Sequence, residues 1–114
     1  MNEQIYNWLR EFPGLQLLQW QQVDAVPGGC GLFFRGATAN HRDLLGQTQN
    51  TLRYRLCRYG EREESAVFFL LLGAWLETNT QNLGSIQTAA CKNAHCVRDN
   101  GGLALWEADL EVQT

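Results

Sequence analysis

Cys91-Lys92-Asn93-Ala94-His95-Cys96 gathers two thiols and an imidazole within six residues, the donor types that hold zinc. Zinc takes four such ligands, most often with short spacers. Here four residues separate the thiols and no CxxC pair stands elsewhere, so Cys30, Cys57 or His41 would have to complete a site through the fold. On an extended strand Cys91 and Cys96 have opposite parity and project to opposite faces unless a bulge intervenes. His95 and Cys96, as strand neighbours, point apart and form no nucleophilic pair. No metal or cofactor is therefore expected. The four thiols read as free and mostly buried, in keeping with a reducing cytosol.

Glu107, Asp109 and Glu111 recur at every second position near the end of the chain, which sets three carboxylates on one face of a strand. Arg53 and Arg55 form a complementary pair at the same spacing. Acid–base catalysis needs two carboxyls in unlike environments, and this row is uniform, so no enzyme is expected. The row reads either as a solvated sheet face with weak ion pairs or as an electrostatic docking surface. Arg53, Arg55, Glu107, Asp109 and Glu111 are the candidate interface residues, and no catalytic, metal or cofactor residue is assigned. Gly28-Gly29-Cys30-Gly31 is not GxGxxG and reads as a flexible turn between strands. Eight Arg against one Lys favour specific hydrogen-bonded contacts over loose attraction to DNA, and nucleic acid is not an expected partner.

These residues need elements to carry them. Ile5, Trp8, Leu9 and Phe12 fall at i, i+3, i+4 and i+7 of an amphipathic helix that Asn2 begins and Pro13-Gly14 ends. Leu15 to Val26, with Leu18 and Trp20 alternating, reads as a strand. Pro27-Gly28-Gly29 breaks the chain before a second strand over Leu32–Asn40. Asp43-Leu44-Leu45-Gly46 then turns a long hairpin, and Leu52, Tyr54 and Leu56 alternate with Arg53, Arg55 and Cys57 on its return arm. Gly60 closes that arm.

Glu61, Glu63 and Glu64 favour a helix start, and Ala66–Leu76 is apolar without a break. A one-sided helix carries a stripe of about 100°, so this one should be covered on more than one side or feed a subunit interface. It is too short for the ~20 residues of a membrane span. The helix runs to about Asn82, and Gly84 ends it. Strands over Ile86–Val97 and Leu103–Val112, joined at Asp99-Asn100-Gly101-Gly102, complete the chain. The expectation is one domain over residues 1–114, of the α+β class, with element order α–β–β–β–α–β–β. A largely antiparallel sheet would pack against two helices.

The net charge of −3 argues against a general nucleic-acid binder, and the N-terminus lacks the basic and apolar runs of a signal peptide. Residues 31–60 carry five Arg against Asp43 alone, whereas residues 61–114 carry eight acids against Arg62, Lys92 and Arg98. A basic middle and an acidic end suggest internal pairing or head-to-tail contact between copies.

Met1 to Arg10, Asp43-Leu44-Leu45-Gly46 with Leu52-Arg53-Tyr54-Arg55-Leu56, and Gly101-Gly102-Leu103-Ala104-Leu105-Trp106 carry a family likeness. In these segments the chain resembles the small minor capsid and tail-terminator proteins of tailed bacteriophages and prophages. The resemblance covers most of the chain, and its motifs carry no chemistry. It implies a structural protein of virion assembly that stacks on the tail tube, closes its growth and meets the head connector. Its partners would be itself, as a ring of about six copies, and other phage head and tail proteins. It would sit in the bacterial host cytoplasm during assembly and then in the virion. The Cys91–Cys96 segment departs from that pattern. Two other classes remain open. One is a small bacterial α+β adaptor that dimerises through the apolar helix. The other is a ligand- or metal-binding domain, with a pocket where Trp20, Trp75 or Trp106 meets His41 or His95.

Overall fold

A computed structural model describes residues 2–17, 28–42, 48–79, 88–99 and 101–113. The elements are α1 (Asn2–Leu9), β1 (Gln16–Leu17), β2 (Gly29–Arg42), β3 (Thr48–Glu61), α2 (Arg62–Asn79), β4 (Thr88–Asp99) and β5 (Leu103–Gln113). The α+β class and the order α–β–β–β–α–β–β match the expectation from sequence. The sheet runs β1-β2-β3-β5-β4. All its pairings are antiparallel except the two-residue β1, which lies parallel to Gly29 and Cys30.

Alternation decides what each strand buries. Leu52, Tyr54 and Leu56 of β3 and Ala108, Leu110 and Val112 of β5 join one core with Ile5, Trp8, Leu9 and Phe12 and with Phe68, Phe69, Leu72 and Leu76 of α2. The two helices thus cover one sheet face. The regular turns of α1 stop at Leu9, and i+3 bonds from Glu11 N to Trp8 O and from Phe12 N to Leu9 O carry the chain on to Phe12. Tightened terminal turns of this kind satisfy carbonyls that the helix leaves free. They let Phe12 complete the buried stripe that its spacing predicts.

Glu61 caps α2, its carboxylate accepting the backbone N–H groups of Glu63 and Glu64 at 3.2 and 3.3 Å. That explains why strand gives way to helix at this point.

The glycine-rich turn needs correction. Gly28 alone turns, at φ 85°, while Gly29, Cys30 and Gly31 lie inside β2. Gly60 leaves room for the buried guanidinium of Arg58, whose strand partner is Cys30. A Cβ on Gly60 would meet Arg58 Nη1 at 2.5 Å, and Arg58 Nη2 lies 3.9 Å from the Cβ position of Gly28. Of the strand expected over Leu15–Val26, Gln16–Leu17 form β1, Leu15 precedes it outside any strand, and residues 18–26 lie outside the described residues. The Asp43–Gly46 turn and the helix end at Asn82 and Gly84 also lie outside them. No helix among the described residues is long and apolar enough to cross a membrane.

Candidate interaction surfaces

The β3–β5 register sets Arg53 opposite Glu111 and Arg55 opposite Asp109, with Glu107 opposite Cys57. All five candidate residues therefore share the sheet face that points away from the helices. Arg53 Nε lies 3.9 Å from Glu111 Oε1 and Arg55 Nη1 lies 3.7 Å from Glu107 Oε2. From β4, Lys92 Nζ approaches Glu111 Oε2 at 3.4 Å, and Asn93 Nδ2 donates to Asp109 Oδ2 at 3.1 Å. Arg53 Nη1 also donates to Thr38 Oγ1 at 2.5 Å. Arg and acid thus pair within one chain, through partly solvated contacts that contribute under about 1 kcal/mol each. The face is banded, with Arg35, Arg53 and Arg55 on β2 and β3 beside the carboxylates of β5. Arg35 lines clefts on this face with both of the other arginines. Toward the opposite end of the same face Cys57 and Leu105 are buried under Phe33 and Tyr59.

The other surface lies on α2. Ser65, Phe68, Phe69, Leu72 and Leu76 face inward. Trp75 packs on Trp8 at 5.4 Å between ring centroids and on Phe12 at 5.7 Å. The sheet and α1 thus cover two sides of the helix. Val67, Leu70 and Leu71 remain 53%, 75% and 58% exposed, and exposed Ala74 extends their i, i+3, i+4, i+7 stripe. Beside the stripe a groove of about 440 Å³ runs between Phe12, Pro13, Phe68 and the acidic residues Glu61, Glu63 and Glu64. Arg58 forms part of its wall, donating to Ser65 Oγ at 2.6 Å and lying 4.9 Å above the Phe68 ring. This arginine, only 9% exposed, was not legible beforehand. A cation within a strand of alternating residues reads by default as solvated, and only the glycines facing it hinted otherwise.

The cysteine segment forms no joint site. Register slips by one residue between Lys92 and His95, around Asn93 at φ 58°. This bulge reverses the parity expected of an unbroken strand. Cys91 pairs with Leu110 and Cys96 with Trp106, so both stand on the helix side. Those partners still lie four residue steps apart along the strand, about 13 Å, whereas zinc holds each thiolate at about 2.3 Å. His95 pairs with Glu107 on the opposite face, and its Nδ1 lies 2.6 Å from the Asn93 carbonyl, which calls for a proton on that nitrogen. Among the described residues no group of three or more His, Cys, Asp or Glu is placed to hold a metal ion. Burial pushes the Cys91 thiol up to about 12, helped by Asp109. Burial likewise raises Cys30 to about 11, against the opposing pull of Arg58. Both stay protonated at neutral pH and so are poor nucleophiles and metal ligands.

Among the described residues, Trp106 and His95 do not meet in a tryptophan–histidine pocket. Trp106 stacks on Phe69 at 6.2 Å between centroids, on the face opposite His95. Trp20 and the His41 side chain lie outside the described residues. Comparison with protein-family models and with curated protein sequences finds no match.

Proposed function

We propose that this chain is a non-enzymatic structural protein of the phage tail-terminator or minor capsid type, acting in head–tail joining through protein–protein assembly. One observation carries the reading: two chemically unlike surfaces stand back to back on one small domain. The helical side exposes an apolar stripe at Val67, Leu70 and Leu71 beyond what the core requires. The sheet side carries Arg53, Arg55, Glu107, Asp109 and Glu111 in bands of opposite charge. A subunit joining a ring neighbour and unlike proteins above and below needs such a pair of faces. On this reading the protein works in the host cytoplasm during assembly and then in the virion.

The stripe also fits a small bacterial adaptor that dimerises through α2. Native mass spectrometry over a concentration series separates the two, because it counts copies and bound metal together. A metal-free ring of about six copies supports head–tail joining. A dimer that persists at every concentration supports the adaptor. A zinc-bound monomer defeats both and returns attention to Cys91 and Cys96.

A further inference from the structure

One end of the sheet face that turns from the helices is apolar. Cys57 and Leu105 are buried there against half-buried Phe33 and Tyr59, while both helices pack on the other face. The open face of an antiparallel sheet ordinarily carries polar residues, so an apolar nucleus on it marks an interaction surface. Cations stand beside it. Phe33 lies opposite Arg55, and the two line one cleft with Arg35. Arg35 is exposed and has no ion pair among the described residues. The carboxylates of this face lie on β5 and are engaged: Glu107 with Arg55, Asp109 with Asn93, Glu111 with Arg53 and Lys92.

The α2 stripe has the opposite charge. Glu63, Val67, Leu70 and Ala74 fall at i, i+4, i+7 and i+11, all exposed, and exposed Glu64 stands beside the first of them. One groove joins Glu63, Glu64, Val67 and Leu71 to Phe12 and Phe68. Neither Glu63 nor Glu64 forms an ion pair among the described residues. A second α2 is a poor occupant, because the last turn carries no base. Antiparallel pairing would bring Glu63 and Glu64 against Glu77, and parallel pairing would set like ends together. Like charges across an interface disfavour both.

We propose that the α2 stripe of one copy packs on the outer sheet face of a second, along β2 and β3, in a head-to-tail contact. Glu63 and Glu64 meet Arg35, Val67 covers Phe33, and Leu70, Leu71 and Ala74 reach toward Tyr59. The spacings agree. Val67 stands about 6 Å and Ala74 about 17 Å along the helix from Glu63. Phe33 stands about 7 Å from Arg35 along β2, and Tyr59, paired with Gly29, about 20 Å. A helix about 10 Å across spans two strands set about 4.8 Å apart, which leaves the β5 carboxylates to one side. The inference rests on the self-assembly reading above and names the two faces that meet. Because they differ, the contact is heterologous, and repeating it closes a ring or extends a filament. A stable interface covers about 800 Å² on each partner, so the groove wall at Phe12 and Pro13 is covered along with the stripe.

Two variants test it. One carries Leu70→Glu with Leu71→Glu, and the other carries Phe33→Ser with Arg35→Glu. Circular dichroism and thermal unfolding should report folded monomers. Phe33 is half-buried, so Arg35→Glu alone, at an exposed position, repeats the sheet-side test without disturbing packing. It should raise the concentration for half-assembly about tenfold or more. In native mass spectrometry each double variant alone should lose the wild-type oligomer. Their equimolar mixture should form a dimer and stop there, because one intact α2 face and one intact sheet face remain. A second route exchanges the charges: Arg35→Glu with Glu63→Arg and Glu64→Arg in one chain should regain the oligomer that each part weakens. Restoration by either route supports the contact, and failure of both overturns it. Wild-type-like assembly of the α2 variant or of Arg35→Glu overturns it too. So does a wild type that stops at a dimer, since that joins like surfaces. If the wild-type chain is monomeric at every concentration, the self-assembly reading falls with it. If wild type assembles further and no variant matters, only this contact falls.

Discussion

Arg58 shows how a single side chain sets requirements on its neighbours. Its guanidinium leaves the solvent for a hydrogen bond to Ser65 and the face of Phe68, while its Nε has no hydrogen-bond partner among the described residues. The room it occupies exists because Gly60 has no Cβ. Gly60→Ala should force the guanidinium off Ser65 and cost about 1–3 kcal/mol. Urea unfolding would measure this, and the penalty should shrink when Arg58→Met is already present. Equal penalties in the two backgrounds would mean that the strand itself, not Arg58, requires glycine. The buried thiols make a second prediction. Cys30 and Cys91 ionise at about 11 and about 12 instead of the ordinary 9.0, so the folded chain holds their protons where the unfolded chain has lost them. Their stabilising contribution is complete below pH 9.0 and declines as pH rises through those folded values. Burial also raises the Tyr54 phenol, which adds to the decline above its ordinary 10.0. Unfolding free energy should therefore fall from about pH 9 to about pH 12, and Cys30→Ala with Cys91→Ala should flatten that slope. An unaltered slope would assign the alkaline loss to other groups.

The strands show which interactions hold an element in place. β5 lies between β3 and β4, burying Ala108, Leu110 and Val112 while Asp109 stays exposed and Glu107 and Glu111 are half-buried. Leu110→Ala should cost about 2–5 kcal/mol through lost burial and the cavity left behind. Glu111→Ala, which removes the contacts to both Arg53 and Lys92, should cost no more than about 1 kcal/mol. Denaturant midpoints of the two variants test that order. The same contrast explains what the sequence disclosed. Period-two alternation at Leu52–Leu56 and Trp106–Val112 is a core signal, so those strands and their faces could be read directly. The helix start at Glu61–Glu64 and the Gly101 turn, where Gly101 N donates to Asp99 Oδ1 at 3.0 Å, are local and were legible too, although the capping role of Glu61 was not. Register is not local. Nothing within Cys91–Cys96 shows that Asn93 adopts φ 58° and restores both thiols to one side, because the pairing with β5 decides it. Cross-strand partners were hidden for the same reason. The arginines and carboxylates suggested complementary faces, but whether they paired within a chain or between chains depended on β3 lying next to β5.

At the scale of the molecule, the charged face has an arrangement that internal pairing alone does not require. Its cations gather toward β2 and β3, at Arg35, Arg53 and Arg55, and its carboxylates lie on β5. The basic band therefore lies on the face of the sheet turned away from the helices, where it would attract an acidic surface of a neighbouring copy. Reversing Arg53→Glu and Arg55→Glu converts that band. The new carboxylates would stand directly opposite Glu111 and Asp109, a repulsion of about 0.2–1 kcal/mol per pair. That is small beside the buried core under β3, so the monomer should stay folded. Assembly should nevertheless be lost, because like charges juxtaposed across an interface cost several kcal/mol. Salt gives the complementary sign. Exposed charges are screened beyond about 8 Å at physiological ionic strength, so added salt should weaken wild-type assembly and partly relieve the double reversal. Sedimentation velocity across a salt series reads both effects. A double-reversal protein that assembles like wild type at low salt would remove Arg53 and Arg55 from the interface. The charged face would then be what its internal ion pairs alone make it, a solvated side of the sheet.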